Sequence, residues 1–154
     1  ALYEPIRDAT LSAYSWSFAL GQVALTKLET PPVADYSNAF QLPNDFLRAL
    51  SAGAGGKGRG LKFRIARNAL HTNADEVMLT YIFRPDESEF PPYFDAVLIS
   101  KLAAEFTIPV TENTSRAEAM YRLAQNEFEQ ARQIDAQQDT PAAIESFSLI
   151  DART

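Results

Sequence analysis

The sequence predicts an α+β fold, mainly α: a helical bundle with a small antiparallel β-sheet inserted between the first helix and the last two long helices, plus an extended C-terminal arm. Three observations lead there. Apolar residues recur at helical spacing in Leu2, Ile6, Ala9, Ala13, Trp16 and Leu20, and again in two long stretches after Pro91. Between them the period shortens to two and breakers cluster. Thr140-Pro141 then ends the last helical pattern, because the residue before a proline avoids the helical region. The expected organisation is one domain over 1–139, with helices at about 1–20, 91–106 and 115–138 and a β region at about 39–83. Residues 140–154 form the arm.

The first helix ends in Tyr14-Ser15-Trp16-Ser17-Phe18-Ala19-Leu20, which holds the only tryptophan. A large aromatic there anchors the helix to the core, specifically to the helix opening at Pro91. Val23-Ala24-Leu25 is a short apolar run before the breakers Thr30-Pro31-Pro32. Phe40 to Leu42 reads as an edge strand closed by Pro43, and Asn44 as the cap of one helical turn through Leu50. Five of the six glycines lie between Gly53 and Gly60, which predicts a mobile loop projecting from the sheet. Leu61, Phe63 and Ile65 alternate with Lys62 and Arg64, giving one buried and one wet face. A short piece follows at Ala69 to Thr72. Glu76 to Phe83 is apolar on both faces, as suits a covered strand.

Pro91-Pro92 sets the first turn of a helix to about Phe106, whose wide apolar surface marks a central element. Ile108-Pro109-Val110-Thr111 reads as a connector. Ser115 and Glu118 form a capping box for the next helix, with the stripe Ala117, Met120, Tyr121, Ala124, Phe128 and Ala131. The arm carries Ile144, Phe147, Leu149 and Ile150, candidate contacts for a neighbouring subunit or a docking partner.

At 154 residues and 46% hydrophobic, the chain can bury an ordinary core. It has no cysteine, so disulfides, thiolate zinc sites and a cysteine nucleophile are excluded. No secretory signal is read at the start, and Ala9 to Thr26 is too polar for a membrane span. Helical register from the first residue suggests a missing or processed N-terminal piece. The net charge of −6 argues against an unaided nucleic-acid binder.

No catalytic, cofactor or metal set stands out. His71 is the single histidine and has no cysteine to work with. Asp86, Glu87 and Glu89, and likewise Glu127 and Glu129, read as solvated surface. Around Gly56-Lys57 the phosphate-cradle pattern fails, with Ser51 in place of the first glycine and Gly58 in place of the magnesium-binding hydroxyl. The charge pattern says more. Lys57, Arg59, Lys62, Arg64 and Arg67 fall within eleven positions with no acid between them. They read either as a solvated face or as a contact for phosphate or an acidic partner.

The order of landmarks carries a resemblance: Trp16-Ser17-Phe18-Ala19 ending a helix; Tyr36, then Phe40-Gln41-Leu42-Pro43-Asn44-Asp45 and Leu47-Arg48; a Gly-rich gap; Phe63-Arg64-Ile65 and Leu70-His71-Thr72; Val77-Met78-Leu79-Thr80-Tyr81; Phe90-Pro91-Pro92-Tyr93-Phe94 with Leu102-Ala103-Ala104; and Ala131-Arg132 with Asp135-Ala136. This succession resembles the tail tubular protein A family of tailed bacteriophages, the head-to-tail adaptors or gatekeepers. The family's usual helix before the tryptophan helix is missing here. The resemblance implies a non-enzymatic virion protein at the head-tail junction, assembled in the host cytoplasm. It implies a homo-oligomeric ring, typically a dodecamer, that binds the portal protein above and a tail or nozzle protein below. Genomic DNA would pass through its channel on ejection, with no membrane and no cofactor involved. The alternatives are an assembly or binding module outside phages, or a small carboxylate-based enzyme.

Overall fold

The structure, a computed structural model, describes residues 2–111 and 114–138. The arm residues Ile144, Phe147, Leu149 and Ile150 therefore lie outside the described residues. Helix α1 spans Tyr3–Ser12 and strands β1 Leu20–Ala24, β2 Thr26–Lys27, β3 Asn38–Gln41 and β4 Phe46–Gly53 follow. Then come β5 Arg64–Ala66, β6 Ala69–Thr72, β7 Met78–Phe83, α2 Pro92–Thr111 and α3 Thr114–Ala136. The expectation of a mainly helical bundle is overturned. Among the described residues there are three α-helices and seven strands in two antiparallel sheets, about 41% helical and 25% strand. The chain divides into two compact units, a helical one from Ala1–Phe18 with Asp86–Thr154, and a sheet one from Ala19–Pro85.

The helical share shrinks at both sides of the tryptophan. The first helix stops at Ser12, not near Leu20. The Thr10 hydroxyl bonds back to the Ile6 carbonyl at 2.7 Å, and the Trp16 indole N–H donates to the Thr10 carbonyl at 2.9 Å. The Trp16 side chain thus takes up one of the last four carbonyls of the helix, while the Thr10 hydroxyl shares the Ile6 carbonyl a turn earlier. Leu20–Ala24, expected as helix and apolar run, is instead a strand. At the other end, α2 continues through the expected connector to Thr111.

Phe46–Gly53, expected as a helical turn, is the longest strand. It pairs with β7, with register shifts between Phe46 and Arg48 and between Ala49 and Ser51. β7 also pairs with β1, Leu20 opposite Ile82 through Ala24 opposite Met78. It is thus the central strand of the order β1-β7-β4, in agreement with its two apolar faces. The second sheet runs β2-β3-β6-β5. Leu25 alone separates β1 from β2, and its N–H donates to the Val77 carbonyl. One extended stretch therefore serves both sheets, which share a core of Phe40, Leu42, Ala52, Leu70, Val77, Leu79 and Tyr81.

In the helical unit Trp16 is fully buried. Its ring lies 5.2 Å from Phe94, 5.6 Å from Phe128 and 6.4 Å from Tyr93. Phe18 packs edge-on to Phe94 at 4.9 Å. The expected packing of Trp16 and Phe18 against the helix opening at Pro91 is what the structure has. Trp16→Ala is expected to cost about 3–5 kcal/mol in urea denaturation, the usual range for a fully buried large aromatic. A loss under about 1 kcal/mol would contradict this packing.

Candidate functional site

The five basic residues all lie in the sheet unit and all are exposed. The structure divides them between the Gly-rich loop and the region of β5, where only Arg64 is in the strand itself. Lys57 and Arg59 sit in the Gly-rich loop, which does not project as expected. It folds back along β4: Leu61 N–H donates to the Ala52 carbonyl at 2.9 Å, and the Gly58 carbonyl accepts from Ser51 Oγ at 2.6 Å and Thr80 Oγ1 at 3.0 Å. Two glycines permit this approach. A Cβ on Gly53 would collide with the Lys57 carbonyl and stand 2.5 Å from Arg59 N. A Cβ on Gly58 would meet Gln22 Nε2 and Thr80 Oγ1, both at 2.5 Å. Gly55 and Gly56 have φ of 66° and 82°, and Lys57 N–H donates to the Ala54 carbonyl, the pattern of a type I′ turn.

Arg64 and Arg67 meet in a groove of about 530 Å³ on the second sheet. The segment Leu28 to Ala34, with Pro31 and Pro32, forms one wall, and Ala39, Ala66, Ala69 and His71 line the rest. Arg64 pairs with Asp35 at 3.2 Å and lies over the Tyr36 ring at 5.3 Å. Arg67 and Asn68 form the two-residue turn of the β5–β6 hairpin, with φ of 50° and 60°. Left-handed backbone suits asparagine and glycine, and an arginine there is strained. The His71 Nδ1 atom is buried with no hydrogen-bond partner among the described residues. Lys62 lies beside this strand, and its carbonyl accepts from Thr72 Oγ1 at 2.8 Å.

The helical unit holds a polar centre that the sequence reading did not single out. Asp135 is the one buried charged residue among those described, 2% exposed. It accepts from Ser17 N–H at 2.8 Å, Ser17 Oγ at 2.7 Å and the Tyr93 hydroxyl at 2.6 Å. Burial, then the bond to Asp135, pushes the Tyr93 phenol up to about 12. A signal was available: Asp135 continues the Ala124, Phe128 and Ala131 spacing, a carboxylate on an apolar stripe. Nearby, burial pushes the Lys101 ammonium down, and its Nζ lies 4.9 Å over the Phe128 ring. Exposed apolar residues flank this core. Ile99 and Phe106 on α2 are 67% and 54% exposed, and Leu123 and Ile134 on α3 are 49% and 44% exposed.

Among the described residues no group of histidines and carboxylates could hold a metal ion. No described helix is long and apolar enough to cross a membrane.

Two outcomes test this geometry. Gly53→Ala is expected to lift the loop from β4, so that the Leu61 amide exchanges faster and proteases cut between residues 54 and 60. Unchanged exchange would contradict the pinned loop. Tyr93 is the neutral partner of Asp135, with its ionisation raised from 10 to about 12. Its contribution to stability is full below pH 10 and lost as pH rises towards 12. Tyr93→Phe should therefore flatten that part of the alkaline loss in denaturation measured across this window, the other tyrosines contributing equally to both proteins. Parallel curves would contradict the pairing.

No protein-family model matches the chain, and no curated protein matches it.

Proposed function

We infer that this protein is a structural virion component, a head-to-tail adaptor whose copies form a ring between portal and tail around the DNA channel. The observation that carries the reading is surface that calls for partners. Ile99 and Phe106 stand seven residues apart on α2, and Leu123 and Ile134 eleven apart on α3, so each pair repeats on one helix face, exposed. Such repeated apolar surface suits docking to other protein subunits. The order of landmarks from Trp16-Ser17-Phe18-Ala19 to Asp135-Ala136 supplies the kind of assembly.

Charge supports the same reading. With a net −6, the chain as a whole repels DNA, which suits a wall that DNA must slide past. The exposed bases Lys57, Arg59, Lys62, Arg64 and Arg67 remain local contacts for an acidic partner or for phosphate. Asp135, the one buried carboxylate among the described residues, is engaged by three donors, which leaves little support for carboxylate-based catalysis there.

Electron microscopy of the purified protein mixed with portal is expected to show closed rings seated on the portal. A monodisperse monomer that never binds portal would overturn the reading. A chain ending at Asp139 is expected to keep its helical circular dichroism and its melting transition but to lose assembly. Complete portal-bound rings from the shortened chain would remove the arm from the account.

A further inference from the structure

We propose that the groove beside β5 receives residues 141–151 of a second copy of this chain, added as an extra strand on the β5 edge. This rests on the ring-forming reading above and gives its subunit contact a place.

The edge is available. β5 pairs with β6 on one side and is the last strand of its sheet. Ala66 stands opposite Ala69 across a two-residue turn, so that pair exchanges both backbone hydrogen bonds. Ile65, one residue on, then turns its N–H and C=O away from β6, and its side chain is 37% exposed. The other edges are less suited. The Ser51–Ala52 end of β4 is covered by the loop held there, and two register shifts break the rest of that strand. β2 has only two residues, and its Lys27 is paired with Asp75. β1 carries no charged residue to select an acidic partner.

The chemistry of the groove matches the segment. Its floor is small and apolar, Ala39, Ala66 and Ala69, with Arg64 and Arg67 beside it and His71 in its lining. Residues 141–151 read Pro-Ala-Ala-Ile-Glu-Ser-Phe-Ser-Leu-Ile-Asp. In an extended strand Phe147 and Leu149 share a face with Glu145 and Asp151, an apolar pair with an acid at each end. The other face at the centre is Ser146 and Ser148, level with Ile65 on the side away from the groove. Between Pro141 and Asp151 there is no base, so the segment itself does not offset attraction to Arg67 or to Arg64 beside its pair with Asp35. An added strand gains affinity from backbone bonds and specificity from alternate side chains. The strained turn fits the same purpose, because Arg67 holds a charge at the groove where glycine would relax the backbone.

The chain has no cysteine, so introduced pairs report cleanly. Full-length Ile65→Cys protein is mixed with full-length Ser146→Cys or Ser148→Cys protein under mild oxidation, with Gln22→Cys on β1 as the competing edge. The expected result is a disulfide-linked pair of chains from Ile65→Cys with the serine variants and not from Gln22→Cys. Intact rings with no such link, or with the link at Gln22→Cys, overturn the docking and leave the adaptor reading standing. A monomer with no link overturns both. Arg67→Gly supplies an independent check that misfolding cannot mimic. Its melting temperature should stay level or rise while self-association weakens about tenfold, the worth of one charge-assisted contact. Unchanged self-association removes Arg67 from the contact and overturns the proposal's electrostatic basis.

Discussion

The helical unit is built from two pieces of chain that must find each other, and one buried carboxylate ties them. Ser17 and Asp135 stand 118 positions apart. A backbone N–H and a hydroxyl from the first piece and a phenol from α2 converge on the two oxygens of Asp135. A carboxyl group is costly to bury without partners, and three donors in good geometry offset much of that cost. The same place holds Trp16, fully buried against Phe94 and Phe128. Apolar burial supplies the driving force, while the hydrogen bonds decide which turn of α3 faces Ser17. The exposed faces of α2 and α3 inherit their direction from that choice. Rotating α3 to bring Ile134 inward would carry Asp135 out of reach of its donors.

The sheet unit answers a different constraint. Its core must serve two sheets with a short chain, and β7 does most of the bonding, with partners on both sides. The single-residue step at Leu25 lets one extended stretch contribute to both sheets. Loops that would otherwise be free are drawn onto this frame. The Gly-rich segment lies along β4 because Gly53 and Gly58 have no Cβ to prevent it. The result separates Lys57 and Arg59, carried by that loop, from Arg64 and Arg67 in the groove of the second sheet. Charges that look like one run in sequence therefore present two surfaces.

Much of this was legible beforehand where a pattern had one physical meaning. Trp16 as an anchor, the doubly apolar β7, and the long helices after Pro91 and Thr114 follow directly from composition and spacing. β4 was hidden for a reason. Two register shifts break its alternation, so Phe46-Leu47-Arg48-Ala49-Leu50 shows no period of two, and long-range pairing with β7 overrides local preference. The end of α1 was misplaced because Ala13 and Trp16 extend the apolar spacing beyond Ser12, where the Trp16 indole already bonds the Thr10 carbonyl. The β5–β6 turn left no signal, since Arg67-Asn68 contains no glycine although both residues adopt left-handed backbone. Asp135 did leave one, a charge on the Ala124–Phe128–Ala131 stripe, which gains meaning only once Ser17 and Tyr93 are found to face it.

The dependence of the helical unit on this carboxylate is open to one direct measurement. Amide hydrogen exchange of Asp135→Ala, compared with the unaltered protein, reports α1 and α3 separately. Removing the carboxylate strands three donors, each worth about 1–3 kcal/mol when left unmade. The expected result is that amides of α1 and of the C-terminal half of α3 lose protection together, by about a hundredfold or more. A loss confined to the last turn of α3, with α1 unchanged, would contradict the tie between the two pieces.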